Sequence, residues 1–270
     1  MTSAAQDAGF ALEVESLSLY IRDTDILRNI SVRFRQGEIW SVIGANGAGK
    51  STLLRCLMRI HRDWRGRVRL FGKPLDSYSQ RELARRVAYV PQAGSYPSFS
   101  YTVSEFVRMG RYPYTGPFSA AHPGDGAAVH SAMSRAGVER FAGRSLLTLS
   151  GGERQKVFIA AALAQEADVL LMDEPTAFLD YRHQAEVMDI LRSINEESDA
   201  LIVNVTHDVN EAIQRGGLVL ALREGEVAWS GPMRELTEGS RLKQIFQAEF
   251  RILDDPFTGR RIVIPRGGEE

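Results

Sequence analysis

Residues Gly44 to Thr52 read GANGAGKST, three glycines, one lysine and two hydroxyls directly after the apolar IWSVI. A backbone with so few side chains can curl tightly and let a ligand come close, and its N–H groups then converge as an anion nest. Gly44, Gly49, Lys50 and Ser51 fit the spacing G-x-x-x-x-G-K-[ST], and Ala45, Asn46, Gly47, Ala48 and Thr52 complete the loop. In that pattern backbone N–H groups cradle phosphates, the lysine reaches the β- and γ-phosphates, and the hydroxyl binds Mg2+. The bland alternative is a glycine-rich turn. The setting argues for phosphate: EIWSVI (38–43) reads as a buried strand and KSTLLRCLMRI (50–60) as a helix whose positive end faces the loop.

Three further stretches place reactive groups at the ends of apolar strands. VLLMDEPT (169–176) ends in Asp173, suited to hold Mg2+, and Glu174, suited to polarise an attacking water. NVTHD (204–208) puts His207 at a strand tip, within reach of a γ-phosphate and its water. YVPQ (89–92) does the same for Gln92, whose carbonyl oxygen suits Mg2+ or the water. LTLSGGERQK (147–156) is a second glycine pair that opens a helix, with Ser150 as its N-cap. One nucleotide need not use both phosphate-binding helix starts of one chain, so two chains placed head to tail could pair them across two shared sites. His61, His122, His130 and His183 lack such context and read as surface or packing residues.

The elements that must hold these groups follow from periodicity. FALEVESLSLYI (10–21) alternates and reads as an edge strand; ILRNISVRFRQGEIW (26–40) gives a second strand, a turn and the strand feeding the loop. GRVRLFG (66–72) and VAYVPQ (87–92) are strands around the helical SQRELARR (79–86). Ala93 to Ala128 is rich in Pro, Gly, Ser and aromatic residues around a helical VSEFVRMGRY (103–112), and helices follow at 127–138 and 152–167. Strands at 168–173 and 200–208 alternate with helices at 181–197 and 210–215, then a hairpin covers 217–231. Continuous apolar strands alternating with helices imply a mostly parallel sheet buried on both faces.

The bulk numbers narrow the class. The 270 residues suit one domain with an inserted lobe, and 44% hydrophobic residues can build a core. A net charge of −1 gives no general attraction to nucleic acid or anionic lipid. Cys56 is the only cysteine, so no disulfide framework forms within the chain, and on the post-loop helix it reads as a packed thiol. No apolar run approaches the ~18 residues of a spanning helix, and MTSAAQDAGF has no signal-peptide pattern, so any membrane role is expected to come through a partner.

Together these residues resemble the nucleotide-binding subunit of an ATP-binding-cassette (ABC) transporter over nearly the whole chain. Walker A resembles Gly44–Thr52, the Q-loop glutamine Gln92, the signature motif LSGGE (149–153) with Ser150, Gly151, Gly152 and Glu153, and Walker B VLLMD (169–173). The catalytic-glutamate position is Glu174, the D-loop FLD (178–180) ends in Asp180, and the switch histidine is His207. The A-loop aromatic that stacks on adenine resembles Tyr20, with Ile21 at nearly the same spacing, and Glu153 stands where the usual signature has Gln.

The resemblance implies an α/β fold: a P-loop NTPase, RecA-like core with a mostly parallel sheet, an antiparallel β edge and an inserted helical subdomain. One domain would span 10–265, with the core at 10–92 and 166–225, the helical subdomain at 93–165 and a C-terminal extension at 226–265. It also implies ATP and Mg2+ as ligands, with Ser51, Gln92 and Asp173 on the metal, and a homodimer in which each signature motif meets the partner's ATP. SQRELARRVAYVPQ, FSYTVSEFVRMGRYPY, LDYRHQAEVMDILRSIN and RILDDPFTGRRIVIP resemble bacterial importers of iron-siderophore, haem or cobalamin complexes. That resemblance implies two separate permease subunits, an external substrate-binding protein, no nucleic-acid partner, and a place on the cytoplasmic face of the inner membrane. Tyr96, Phe99, Tyr101, Phe106, Tyr112, Tyr114 and Phe118 would then face the permease, or else form the core of the helical lobe. Two rivals are a soluble cassette ATPase acting on nucleic acid or ribosomes, which the lack of a basic charge disfavours, and a non-hydrolysing regulatory module, which Glu174, Gln92 and His207 disfavour.

Overall fold

A chain whose apolar strands alternate with helices has to cover those strands on both faces, and the computed structural model, which describes residues 9–92, 100–115 and 123–266, does so. Its elements in order are β1 (Phe10–Ile21), β2 (Thr24–Arg35), β3 (Ile39–Ile43), α1 (Lys50–Leu57), β4 (Trp64–Leu70), β5 (Lys73–Pro74), α2 (Gln80–Arg86), β6 (Val87–Val90), α3 (Val103–Met109), α4 (Asp125–Arg135) and α5 (Gly151–Ala164). Then come β7 (Val169–Asp173), α6 (Tyr181–Glu197), β8 (Leu201–Val205), α7 (Val209–Arg215), β9 (Leu218–Arg223), β10 (Glu226–Pro232), α8 (Met233–Leu236), α9 (Arg241–Phe246), β11 (Phe250–Asp254) and β12 (Arg261–Pro265). They form two compact units, one made of the chain up to Asp76 plus that from Val203 onward, the other of Ser77–Ile202.

In the first unit an antiparallel sheet runs in the order β2-β1-β4-β5. This corrects the expectation that 10–21 is an edge strand: β1 is paired on both sides, with Val14 opposite Val32 on β2 and Val68 on β4. Ala11 to Val14 are buried in succession, so the strand is covered on both faces there as well as paired on both edges. Strands β10, β9, β3 and β8 lie side by side in that order, with β3 and β9 parallel. Ile43, the last residue of β3, packs in one cluster with Val209 and Ala212 of α7, Val219 and Ala221 of β9, Met233, Leu236, Leu242 and Ile245 of the C-terminal helices, and Val263 of β12. The loop that starts at Gly44 is therefore rooted in a packed core. The C-terminal hairpin β11–β12 is tied to α7 by the Asn210 amide, which donates to the Val263 carbonyl at 2.9 Å and accepts from its N–H at 2.8 Å. Helix α1 stops at Leu57, short of the expected Ile60, because Arg59 takes a left-handed φ of 56°. Cys56 is fully buried on it, and burial pushes its thiol up to about 12, which leaves it inert at neutral pH.

In the second unit β6 and β7 pair in parallel, Val87 with Val169 through Val90 with Met172. A helical lobe packs around Val103, Val107, Val129, Met133, Phe141, Leu149, Val157 and Ala160. Phe106 meets Phe158 edge to face at 4.8 Å, so Phe106 belongs to the lobe core; Tyr112 is exposed, and Tyr96, Phe99 and Phe118 lie outside the described residues. Arg111, only 5% exposed, joins three segments: Nε donates to Asp125 Oδ1 at 2.9 Å at the start of α4, and Nη1 donates to Glu166 Oε2 at 2.6 Å and to the Ala164 carbonyl at 2.7 Å at the end of α5. Its guanidinium lies 4.0 Å from the ring centre of Tyr114, whose hydroxyl donates to the Gln165 carbonyl at 3.0 Å.

Removing that guanidinium strips the buried Asp125 carboxylate of its counter-ion. Arg111→Met is expected to lower the unfolding free energy by about 3 kcal/mol, whereas Glu166→Gln, on a side chain 60% exposed, should cost less than about 1 kcal/mol; urea denaturation compares the two.

Candidate functional site

In the first unit the loop between β3 and α1 is shaped by what surrounds it. Gly44 has φ 147° and Gly49 φ 97°. A Cβ on Gly44 would lie 2.2 Å from the Leu222 carbonyl oxygen of β9, and one on Gly49 would lie 2.7 Å from the Leu27 side chain and 3.0 Å from the Ile26 carbonyl of β2. The loop is wedged between two strands, and only glycine fits at both pinch points. Inside the curl, Lys50 is 6% exposed and its Nζ donates to the carbonyls of Gly44 at 2.8 Å and Ala45 at 3.0 Å. The Ala48 N–H closes the turn onto the Ala45 carbonyl at 3.2 Å, and the Leu53 N–H donates to Gly49 at 2.8 Å to start the helix. A cation is thus held at the mouth of a loop that ends in a helix N-terminus, an arrangement that binds phosphate.

Two other expected residues belong to this unit. Thr206 donates its N–H to the Val42 carbonyl at 3.1 Å, which ties the end of β8 to the strand that runs into Gly44. His207 follows at once and is exposed, so the imidazole stands at the same sheet end as the loop. Asp208 then caps α7 through the N–H groups of Asn210 at 2.8 Å and Glu211 at 3.2 Å. Tyr20 is 56% exposed, its hydroxyl donating to Asp23 at 3.3 Å, and it pairs with Asp25 across the β1–β2 hairpin. Asp25 precedes Ile26, whose carbonyl lies against Gly49. The exposed Tyr20 ring is therefore carried on the hairpin end that flanks the loop.

In the second unit, Asp173 is 5% exposed at the end of β7 and accepts a hydrogen bond from the Tyr89 hydroxyl at 3.3 Å. Tyr89 was not singled out from sequence; the signal was its place three residues before Gln92 on the neighbouring strand. Gln92 Nε2 donates to Glu174 Oε2 at 2.9 Å. Glu174 has φ 47°, a left-handed turn that a non-glycine residue seldom adopts. With its NH2 on Glu174, the Gln92 amide keeps its oxygen as an acceptor.

The glycine pair at 150–153 opens α5 with a complete capping box. Ser150 Oγ accepts from the Glu153 N–H at 3.2 Å, and Glu153 Oε2 accepts from the Ser150 N–H at 2.9 Å. That backbone hydrogen bond holds the Glu153 carboxyl below the usual carboxylate range, so its charge serves the start of its own helix. Around Gly151 a Cβ would meet nothing within 4 Å, so this turn presents bare backbone. Asp180 caps α6 by accepting from the His183 N–H at 2.9 Å. Phe178 and Tyr181 on either side of it are 86% and 91% exposed.

In the first unit Ser51 offers a hydroxyl, and in the second Asp173 offers a carboxylate and Gln92 an amide oxygen; each is a hard donor of the kind Mg2+ takes. Among the described residues no cluster of three or more His, Cys, Asp or Glu could hold a metal by itself.

A family profile described as ABC transporter matches residues 27–177. The ferric enterobactin transport ATP-binding protein FepC of Escherichia coli (strain K12) is 37% identical over 256 residues, 95% of this chain and 94% of that one. The hemin import ATP-binding protein HmuV of Streptomyces coelicolor is 41% identical over 249 residues, 92% of this chain and 88% of that one. Among solved structures, a chain of a transporter assigned to the metal-chelate ABC type, in an inward-facing conformation, superposes with a TM-score of 0.83 at 28% identity, over 96% of this chain and 98% of that one. The ATP-binding cassette MJ0796, a dimer in a post-hydrolysis state bound to ADP and Pi, superposes with a TM-score of 0.71 at 27% identity, over 83% of this chain and 99% of that one.

The loop geometry sets an order of sensitivity. Gly44→Ala is expected to cost about 3 kcal/mol of stability because its Cβ meets backbone that cannot yield, Gly47→Ala about 1 kcal/mol because only its φ is strained. Lys50→Ala should leave the fold intact and weaken ATP binding at least about tenfold by removing the charged donor. Thermal unfolding and titration with a fluorescent ATP analogue read these effects.

Proposed function

Because this chain belongs to the ABC transporter family, we propose that it is the ATP-hydrolysing subunit of an importer for a metal chelate, an iron-siderophore, haem or cobalamin complex, driving uptake through two separate permease subunits fed by an external substrate-binding protein. The observation that carries the hydrolytic part is the Gln92–Glu174 hydrogen bond beside Asp173, together with the lysine-filled loop of Gly44–Thr52. The importer part rests on relatives matched over nearly their full length whose names specify siderophore and haem transport. Among the described residues no helix is long and apolar enough to cross a membrane, which suits a subunit docked on the cytoplasmic face of a permease.

Phosphoryl transfer asks a protein for positioning and charge stabilisation more than for covalent chemistry. In this reading the N–H groups of 44–52 and the Lys50 ammonium hold the β- and γ-phosphates, and Tyr20 stacks on the adenine. Glu174, held by the Gln92 amide, orients and polarises the attacking water, while His207 hydrogen-bonds the γ-phosphate and the water. Mg2+, when bound by Ser51, Gln92 and Asp173, supplies charge neutralisation at the phosphates. Ser150, Gly151 and Gly152 offer backbone N–H groups and a hydroxyl to the γ-phosphate held by a second copy of the chain, and Asp180 faces that copy. The capping box supports this role, because it leaves the bare turn rigid and outward. The dimeric MJ0796 cassette supports the two-protomer arrangement.

Two experiments test the reading. Glu174→Gln is expected to bind ATP with wild-type affinity, lose at least about a hundredfold in turnover and elute as an ATP-dependent dimer on sizing with Mg2+; wild-type turnover would remove Glu174 from its role. Reconstituted with its permease, the wild-type chain should hydrolyse ATP faster in the presence of one loaded binding protein among those for ferric siderophore, haem and cobalamin. No stimulation by any of them, with RNA or DNA co-purifying instead of a permease, would reject import.

A further inference from the structure

Gly152 owes its missing side chain to a neighbour. A Cβ there would fall 2.2 and 2.3 Å from the Cγ and Cδ2 of His183, and 2.7 Å from its Cβ, so the imidazole fills the space beside the first turn of α5. The same ring holds the D-loop: His183 Nδ1 lies 2.9 and 2.8 Å from the two carboxylate oxygens of Asp180, and the His183 N–H also donates to Oδ1 at 2.9 Å. A carboxylate only accepts, so Nδ1 carries the proton in this pair. One turn further along both helices, Lys156 of α5 is ion-paired with Glu186 of α6, their side chains 7% and 33% exposed. The starts of α5 and α6 are thus joined at two successive levels. The Asp180 side chain is still 66% exposed, between the bare rings of Phe178 and Tyr181.

We propose that His183 is a positioning residue for ATP hydrolysis: it clamps the Asp180 carboxylate onto the glycine turn of Ser150–Glu153, so that both are presented to the partner protomer as one rigid piece. The proposal rests on the two-protomer reading above. Its logic is geometric. The backbone at the helix start anchors the Asp180 side chain chiefly through Oδ1; the imidazole adds a contact to both carboxylate oxygens, which restricts rotation of the group and ties its position to Gly152. Small misplacements of groups facing a reacting phosphate cost rate more than they cost binding.

Steady-state kinetics of the full chain test it. His183→Ala is expected to lower kcat on the order of tenfold while KM for ATP moves by less than about twofold, since the 44–52 loop still binds nucleotide. His183→Asn, whose side-chain NH2 takes the place of Nδ1–H, is expected to restore most of kcat. Unchanged kcat in His183→Ala overturns the proposal, and so does an equal loss in both variants, which would mean that ring packing alone matters. Sizing with ATP and Mg2+ separates this from the underlying reading. If Glu174→Gln dimerises and Glu174→Gln/His183→Ala dimerises less, the clamp stands; if both dimerise equally, the clamp falls and the two-protomer reading survives; if Glu174→Gln stays monomeric, both fall.

Discussion

A loop without side chains closed around one ammonium group is the constraint on which the rest of the structure depends. Gly44 and Gly49 are pinched by the Leu222 carbonyl on one side and by Leu27 and the Ile26 carbonyl on the other. The loop cannot open without moving β9 or β2, and its curvature is fixed before any ligand arrives. Lys50 is kept in the mouth by two carbonyls of the same loop. A phosphate that enters exchanges those acceptors for stronger, charged ones, so the site is organised in advance, and little is lost in ordering it on binding. The core behind Ile43, built partly from the C-terminal helices and the last hairpin, keeps β3 in register for this purpose.

The second unit shows the same economy with different chemistry. Asp173, Glu174 and Gln92 are fixed by hydrogen bonds among strand ends, and Glu174 sits at a strained, left-handed backbone angle. The signature turn is stiffened from within by its capping box, and Glu153 explains itself there: an ionised carboxylate in the first helical turn satisfies an N–H and opposes the positive helix end. Glutamine can close the same box without the charge, so the departure from the usual signature residue alters local electrostatics and leaves the turn intact.

The C-terminal extension and the Arg111 hub are supports. Asn210 pins the tail hairpin to α7, directly after His207, and Arg111 joins the end of α3, the start of α4 and the end of α5. Neither touches a proposed reacting group, but each fixes an element that carries one.

Much of this was legible in the sequence. The phosphate loop, the acidic strand end, the paired glycines and the order of strands and helices follow from local rules: residue spacing, hydrophobic period and capping chemistry are written within a few positions of one another. What the sequence could not decide were contacts between distant segments. The place of β1 inside its sheet, the reason for glycine at 152 and the hydrogen bond from Gln92 to Glu174 each need two stretches far apart or on different elements to meet. A lone histidine reads as packing until the fold brings a distant glycine to its ring, beside the carboxylate three residues away on its own helix. Local order is set by neighbours along the chain; the geometry of the site is set by neighbours in space, and only tertiary packing chooses those.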